Sequence, residues 1–382
     1  MNLELKDYRK QLDEIDGRLL ELFAQRMDIA SEIARWKKEK NFPVQDLRRE
    51  REKLRQVEEQ SPEELADYSF MLFSFLLELS RSRQNRILNR ENAETALIAD
   101  ALENTPKLFP EKAIVACQGV EGAYSGLACE KIFARPNIFY FSTFDAVFSA
   151  VEKGLCQYGV IPVENSTAGT VNAVYDLMIR HRFRIVRSVR LKVDHNLLVR
   201  PGTKLEDIRE IYSHAQALSQ CAAFLQKFPD AKVIPCENTA VAAKMVAESS
   251  EPGVAALSSR ACARLYGLEN LMASVQDSDD NYTRFICISN RLEIYPGADR
   301  TSLMMVVRDE PGALYNVLAR FYALGINMHK LESRPIPGRN WEYRFYFDLD
   351  TSVYSPRFIQ LMGELGDLSE EYEYLGSYSE VV

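Results

Sequence analysis

The stretch from Leu3 to Lys40 constrains this chain more than any other. No proline interrupts it, and a seam at three- and four-residue spacing runs Leu5, Arg9, Leu12, Ile15, Leu19, Leu22, Arg26, Ile29, Ile33, Lys37. That period is helical, and a helix of this span is about 55 Å long at 1.5 Å per residue. A small three-helix domain cannot cover such a rod. Its far half needs a partner, so the sequence predicts an intertwined dimer. Polar residues on an apolar seam are costly unless something pairs them, yet Arg9, Arg26 and Lys37 stand there. A second helix after Pro43 shows Leu47, Leu54 and Val57, with Glu50 on the same face and Asp46 one turn before it. A third carries Leu65, Leu72 and Leu76, then Ser80 and Gln84. The interior thus acquires three cations, a carboxylate, a hydroxyl and an amide. Together they read as a pocket for a small polyanion that bears a hydroxyl.

Beyond this all-helical part, residues 1–90, the pattern changes twice. Residues 91–112 read as a connector. Residues 113–290 alternate short apolar strands with helical stretches, an α/β pattern. Residues 291–300 read as a second linker. Residues 301–380 run strand, helix, strand, strand, helix, strand, the order of an α+β ferredoxin-like module. Such a multidomain chain suits a length of 382 residues. A net charge of −8 argues against nucleic acid as a partner, since phosphate binding needs a basic surface. The charged N-terminus has no apolar signal core, and the longest apolar run, at 71–79, is far short of the ~20 residues that span a bilayer. A cytoplasmic chain with no membrane partner is expected. The seven cysteines form no CxxC pair and the histidines number four, so zinc and redox readings are weak.

Polar motifs fall where open α/β sheets place ligands, at the ends of strands. IPVENSTAGTVN (161–172) puts Asn165, Ser166 and Thr167 after an apolar strand. YSHAQALSQC (212–221) and CENTAVAAK (236–244) bring Ser213, Gln216, Gln220 and Thr239 to loop-to-helix starts, where free backbone N–H groups bind anions. His214 in the second of these reads as a structural histidine. QDSDDNYTRFICIS (276–289) sets Thr283 and Arg284 at the mouth of a buried strand. Near the C-terminus, PGALYNVL (311–318) starts a helix at Gly312, Ala313 and Leu314 with N–H groups free for a carboxylate. LESRP (331–335) ends a strand with Glu332, Ser333 and Arg334, and Asn327 is near.

The helical string, Arg9, Asp16, Arg26, Lys37, Pro43, Asp46, Arg49, Glu50, Ser80, Gln84, resembles the chorismate mutase domain found at the N-terminus of bifunctional bacterial enzymes. The resemblance implies that Arg26 and, from the other subunit, Arg9 hold the two carboxylates of chorismate with help from Ser80. It implies that Glu50, aided by Asp46, holds the hydroxyl, that Lys37 and Gln84 donate to the ether oxygen, and that Arg49 belongs to the same pocket. Such a pericyclic rearrangement needs no cofactor, metal or nucleophile. It needs the reactive conformer and donors at the oxygen that gains charge. The unbroken Asn281–Phe285 motif, with ENS and SHAQ, makes residues 113–290 similar to prephenate dehydratase. That family's fold is two α/β lobes like a type II periplasmic binding protein, here 113–190 with 276–290 and 191–275. By this resemblance Thr283 donates to the leaving hydroxyl, the other cleft residues named above bind substrate, and Arg284 either holds a carboxylate or fixes its loop. One departure is visible: Gln118-Gly119 stands where the family has Gly-Pro. Residues 301–379 resemble the ACT domain, which implies that L-phenylalanine binds between paired modules, on the GAL and ESRP motifs. The whole is similar to a bifunctional chorismate mutase/prephenate dehydratase, as a homodimer or tetramer. The rival readings are an arogenate dehydratase and a non-catalytic binding protein with two lobes and an amino-acid sensor.

Overall fold

The computed structural model describes residues 4–40, 42–44, 46–88, 93–339 and 342–382. Two compact units result: 1–96 with 307–325 and 354–372, and 97–306 with 326–353 and 373–382.

The first unit is helical. Helix α1 spans Leu5–Lys40, α2 Leu47–Gln60 and α3 Ala66–Leu88, and a further helix, α4, spans Ala93–Asn104, its residues from Leu97 onward counted with the second unit. Leu3, the expected start of α1, lies outside the described residues, as does the side chain of Leu47. Helix α2 begins where it does because Asp46 Oδ1 accepts from the Arg49 backbone N–H at 3.0 Å, satisfying one of the four free donors of a helix start. Helix α3 packs against both α1 and α2. Leu65 sits in a short 3-10 turn before α3 and Leu72 is exposed, so the expected seam of the third helix is narrower than its spacing suggested. Of α1, Ala30, Ser31 and Ala34 are buried. Leu12, Ile15, Leu19, Leu22 and Ile29 are each more than half exposed. The long apolar seam is therefore not covered by its own chain.

Two more helices, Ala313–Ala323 and Pro356–Leu368, belong to this unit. The second packs on α3. Arg320, Glu78 and Glu364 are all buried, and they are tolerated because they pair. Arg320 Nε lies 2.8 Å from Glu364 Oε2 and its Nη2 3.5 Å from Glu78 Oε1. Ser82 donates to Glu364 at 2.8 Å.

The second unit contains three sheets. The first orders its strands Glu380–Val381, Arg184–Lys192, Tyr282–Ser289, Tyr158–Asn165, Lys112–Gln118, Arg135–Phe141, with Gly169–Thr170 folded back on Tyr158–Asn165. Strand Tyr282–Ser289 runs antiparallel to both neighbours. The second orders Glu269–Met272, Asn196–Val199, Val254–Ser258, Glu210–His214, Lys232–Cys236. The third orders Asn327–Pro335, Tyr343–Asp350, Arg300–Val306, Glu371–Tyr378. Met304, Tyr346 and Leu375 of this third sheet share one core with Ile161, Ile185 and Ile286 of the first. Residues 301–380 thus do not form a free-standing module.

Both segments expected as connectors contribute buried residues. Within 91–112, α4 forms because its residues favour helix and its apolar side chains recur at helical spacing, burying Ile98 and Ala101. Within 291–300, Ile294, Tyr295 and Ala298 are buried. The Tyr295 ring meets Phe109 edge-on at 4.8 Å, and its hydroxyl donates to Glu293 at 2.8 Å. Among the described residues no helix is long and apolar enough to cross a membrane, and all seven cysteines are free.

Candidate active sites

Strand pairing builds the first site. Asn165 ends one strand and Thr283 begins its antiparallel neighbour, so the two face each other in register. They border a cleft of about 350 Å³ between the first two sheets, lined also by Gln118, Tyr124, His195, Gln216, Gln220 and Thr239. Asn165 Oδ1 accepts from the backbone N–H of Thr167 at 3.1 Å and of Ala168 at 2.8 Å. That leaves its Nδ2 to donate, to Asn281 Oδ1 at 2.7 Å and to Thr283 Oγ1 at 3.0 Å. Since Thr283 accepts there, its own hydroxyl hydrogen is available to something else. His214 Nδ1 accepts from the Gln216 N–H at 3.3 Å and so caps the helix Ala215–Gln220. Tyr124 joins the two lobes through Asp194, donating to its carbonyl at 2.8 Å and accepting from its N–H at 2.9 Å.

Four expected cleft residues are used elsewhere. Ser213 is fully buried and donates to the Leu257 carbonyl at 2.6 Å. Ser166 donates to the Asp280 carbonyl at 2.6 Å, holding the 276–281 loop. Thr167 contributes its backbone N–H to Asn165 rather than its side chain to the cleft. Arg284 points away because alternation along a strand sends it to the face opposite Thr283. There it pairs with Asp348 and Glu380 and donates to Tyr378 at 2.9 Å. Of its two expected roles, the geometry matches the structural one. In the Gln118-Gly119 departure, Gly119 has φ +114°, a region that a non-glycine residue rarely enters and that proline cannot adopt, so the backbone here is not that of a Gly-Pro pair. Gly122 nearby has φ +87°, and a Cβ on it would lie 2.8 Å from Cys262 Sγ.

The second site lies in the helical unit. Arg26 donates to the Leu76 carbonyl at 2.7 Å and to the Ser80 hydroxyl, which in turn donates to Leu76 at 2.8 Å. Lys37 donates to the Val44 carbonyl, and burial lowers its pKa against the opposing pull of Asp46 and Glu50. Glu50 carries a raised pKa because it is buried, partly countered by Arg81, whose guanidinium bonds to it. Gln84 is buried with its Oε1 unpartnered among the described residues. Arg26 with Ser80, and Lys37 with Asp46 and Glu50, are therefore brought together. Arg9 and Arg49 are exposed, Arg49 lying 3.7 Å from Glu52. Arg81 was not legible as a site residue; its only signal was its place between Ser80 and Gln84.

The expected effector residues fall in both units. In the helical unit, Gly312 caps the helix Ala313–Ala323, which carries Ala313 and Leu314 in its first turn. In the other, Asn327, Leu331 and Ser333 lie exposed on the strand Asn327–Pro335. Glu332 and Arg334 alternate to the other face and are occupied. Glu332 accepts from Thr170 at 2.8 Å and Arg334 pairs with Asp176 at 2.6 Å. Glu332 is thus not a free carboxylate for an ammonium group.

Residues 8–85 match the family model for chorismate mutase type II, and residues 115–293 that for prephenate dehydratase. Over 380 residues the sequence is 32% identical to the bifunctional chorismate mutase/prephenate dehydratase of Escherichia coli strain K12, covering 97% of this chain and 95% of that one. It is 37% identical over 281 residues to arogenate dehydratase 2 of Petunia hybrida, covering 69% of this chain and 71% of that one. The prephenate dehydratase of Arthrobacter aurescens, solved in complex with L-Phe, superposes with TM-score 0.64 at 29% identity, over 70% of this chain and 89% of that chain.

Proposed function

The chain belongs to the family of bifunctional chorismate mutase/prephenate dehydratases, and we propose that its two sites act in sequence, on chorismate and then on prephenate. In the helical site the substrate is folded so that its ether C–O bond breaks as the new C–C bond forms. Lys37 and Gln84 donate to the ether oxygen as it gains charge. Arg26 and Ser80 hold one carboxylate, and Glu50 with Asp46 receives the hydroxyl. Arg9 reaches the pocket of a second copy. The uncovered seam of α1 supports that dimer.

In the cleft, the bond to the ring carboxylate breaks and its electron pair completes the aromatic ring. Carbon dioxide leaves, and the ring C–OH bond breaks. The departing hydroxide needs a proton, and Thr283 is the donor beside it. The observation that carries this reading is the Asn165–Thr283 bond, which occupies the threonine as acceptor and leaves its hydrogen for the leaving group. Asn165, Gln216, Gln220 and Thr239 bind the substrate. The petunia relative supports a second reading, arogenate in place of prephenate, since the two differ only at the side chain.

Residues 301–380 act as an ACT domain in the cytoplasmic enzyme, where L-phenylalanine binds between copies on Gly312–Leu314 and the exposed Ser333. The L-Phe complex of the Arthrobacter protein supports this. Purified protein given chorismate, with prephenate and phenylpyruvate followed separately, tests the two-site reading. Lys37→Ala should cost about 3–4 kcal/mol of barrier lowering in the first step and leave turnover of added prephenate intact. Loss of both activities together in a folded protein refutes it. Parallel assays with arogenate decide the substrate.

A further inference from the structure

The hydrogen bonds of the cleft run in one direction and end on a histidine that no motif pointed to. Two backbone N–H groups, unambiguous donors, set the Asn165 amide. Its Nδ2 therefore faces Asn281 Oδ1. Asn281 Nδ2 then donates to Gln220 Oε1 at 2.9 Å. His195 Nε2 is 3.0 Å from the same Gln220 oxygen, which can only accept, so this nitrogen carries the proton. Reversing the Gln220 amide would set N–H against N–H at the Asn281 contact, so Asn281 fixes the amide and the amide oxygen then fixes the histidine tautomer.

This arrangement has a cost. His195 is 2% exposed, and its Nδ1 has no partner among the described residues; neither has the buried Nε2 of Gln220. Buried polar atoms of this kind call for an explanation. Both side chains line the cleft, and the unpartnered Gln220 N–H is a donor held ready for a substrate oxygen. Asn281 and Asn165 belong to one lobe, Gln220 and His195 to the other, so the clamp on Gln220 spans the cleft. Burial lowers the His195 pKa from its ordinary value, which keeps the ring neutral at pH 7.

We propose that His195 is a positioning residue of the dehydratase, which with Asn281 locks the Gln220 amide so that its N–H faces the substrate carboxylate or keto oxygen. The proposal rests on the dehydratase reading of this cleft. A purely structural histidine would be expendable here, since leucine fills the space without an orphaned nitrogen.

The test is a double-mutant cycle in the full-length protein, with prephenate as substrate. His195→Leu should lower kcat/KM about 10-fold, the worth of one oriented hydrogen bond, with mutase activity and thermal unfolding unchanged. His195→Gln, which returns a donor near the ε position, should recover most of the loss. In a Gln220→Leu background, His195→Leu should cost nothing further, because the group it positions is gone. Should His195→Leu fail to fold, His195→Asn, which withdraws the donor but keeps a polar side chain, takes its place in the cycle. Full activity in the leucine variant, or equal losses in both backgrounds, overturns the proposal. A wild-type protein inert toward prephenate overturns the dehydratase reading itself.

Discussion

Arg284 stands next to the proposed catalytic threonine, yet its substitution should act on stability. The residue is 8% exposed. Burial alone would lower its pKa, but Tyr378, Asp348 and Glu380 more than offset that and raise it, so the group is fully charged. Arg284→Met leaves buried acids behind. Glu380 keeps Arg190 at 2.8 Å and Arg300 at 3.5 Å. Asp348 is left with the Ser302 hydroxyl. Removing one partner of a buried pair costs roughly 3–5 kcal/mol. With one of the two acids still compensated, the lower end applies, about 3 kcal/mol. Adding Asp348→Leu removes the stranded charge, and apolar replacement of a whole pair is often neutral. The double variant should therefore regain most of the loss. Urea unfolding followed by circular dichroism and by dehydratase inactivation measures both. The KM for prephenate should be unchanged in the folded fraction. A KM raised a hundredfold in a variant of undiminished stability would refute the argument and make Arg284 a carboxylate ligand.

Thr283→Ala should abolish phenylpyruvate formation while mutase activity and unfolding stay as in wild type, and Thr283→Ser should retain part of the rate; wild-type turnover in the alanine variant would reduce Thr283 to a structural role. Arg81→Met removes the main group that pulls the Glu50 pKa back down, so that pKa climbs further and the acidic limb of the mutase pH–rate profile should move to higher pH, an unmoved limb counting against Glu50 as an ionised acceptor. Leu12→Glu places a charge on the uncovered seam of α1 and should convert the proposed dimer to monomer by light scattering, with mutase activity lost and dehydratase activity kept; an unchanged mass would count against this seam as the surface that joins the copies. Ser333→Ile should relieve inhibition by phenylalanine with little change in uninhibited turnover, and unchanged inhibition would place the effector elsewhere.

What was legible in the sequence is what local periodicity carries. The proline-free seam placed α1, and the spacing of Arg26, Lys37, Glu50, Ser80 and Gln84 read as one pocket, of which the structure brings Arg26 to Ser80 and Lys37 near Asp46 and Glu50. The polar motifs at strand ends marked the cleft. Alternation at 327–335 was legible as well, but not which face would be covered, and packing occupied Glu332 and Arg334 while leaving Ser333 out. The same limit applies to Arg284. Its place one residue after Thr283 puts it on the other face of the strand, but only the fold brings Asp348, 64 residues on, to meet it. Residues 91–112 and 291–300 read as linkers because their composition is mixed, and their few apolar side chains became core only where other segments met them. His195, Gln220 and Asn281 are 25 and 61 residues apart along the chain. Their order as donors and acceptors follows from two backbone N–H groups of a third segment. A sequence determines which groups a residue carries and, through period, which neighbours share its face. Partners across strands and lobes are chosen by the packing of distant segments, and a hydrogen bond has a direction only once both partners are in place.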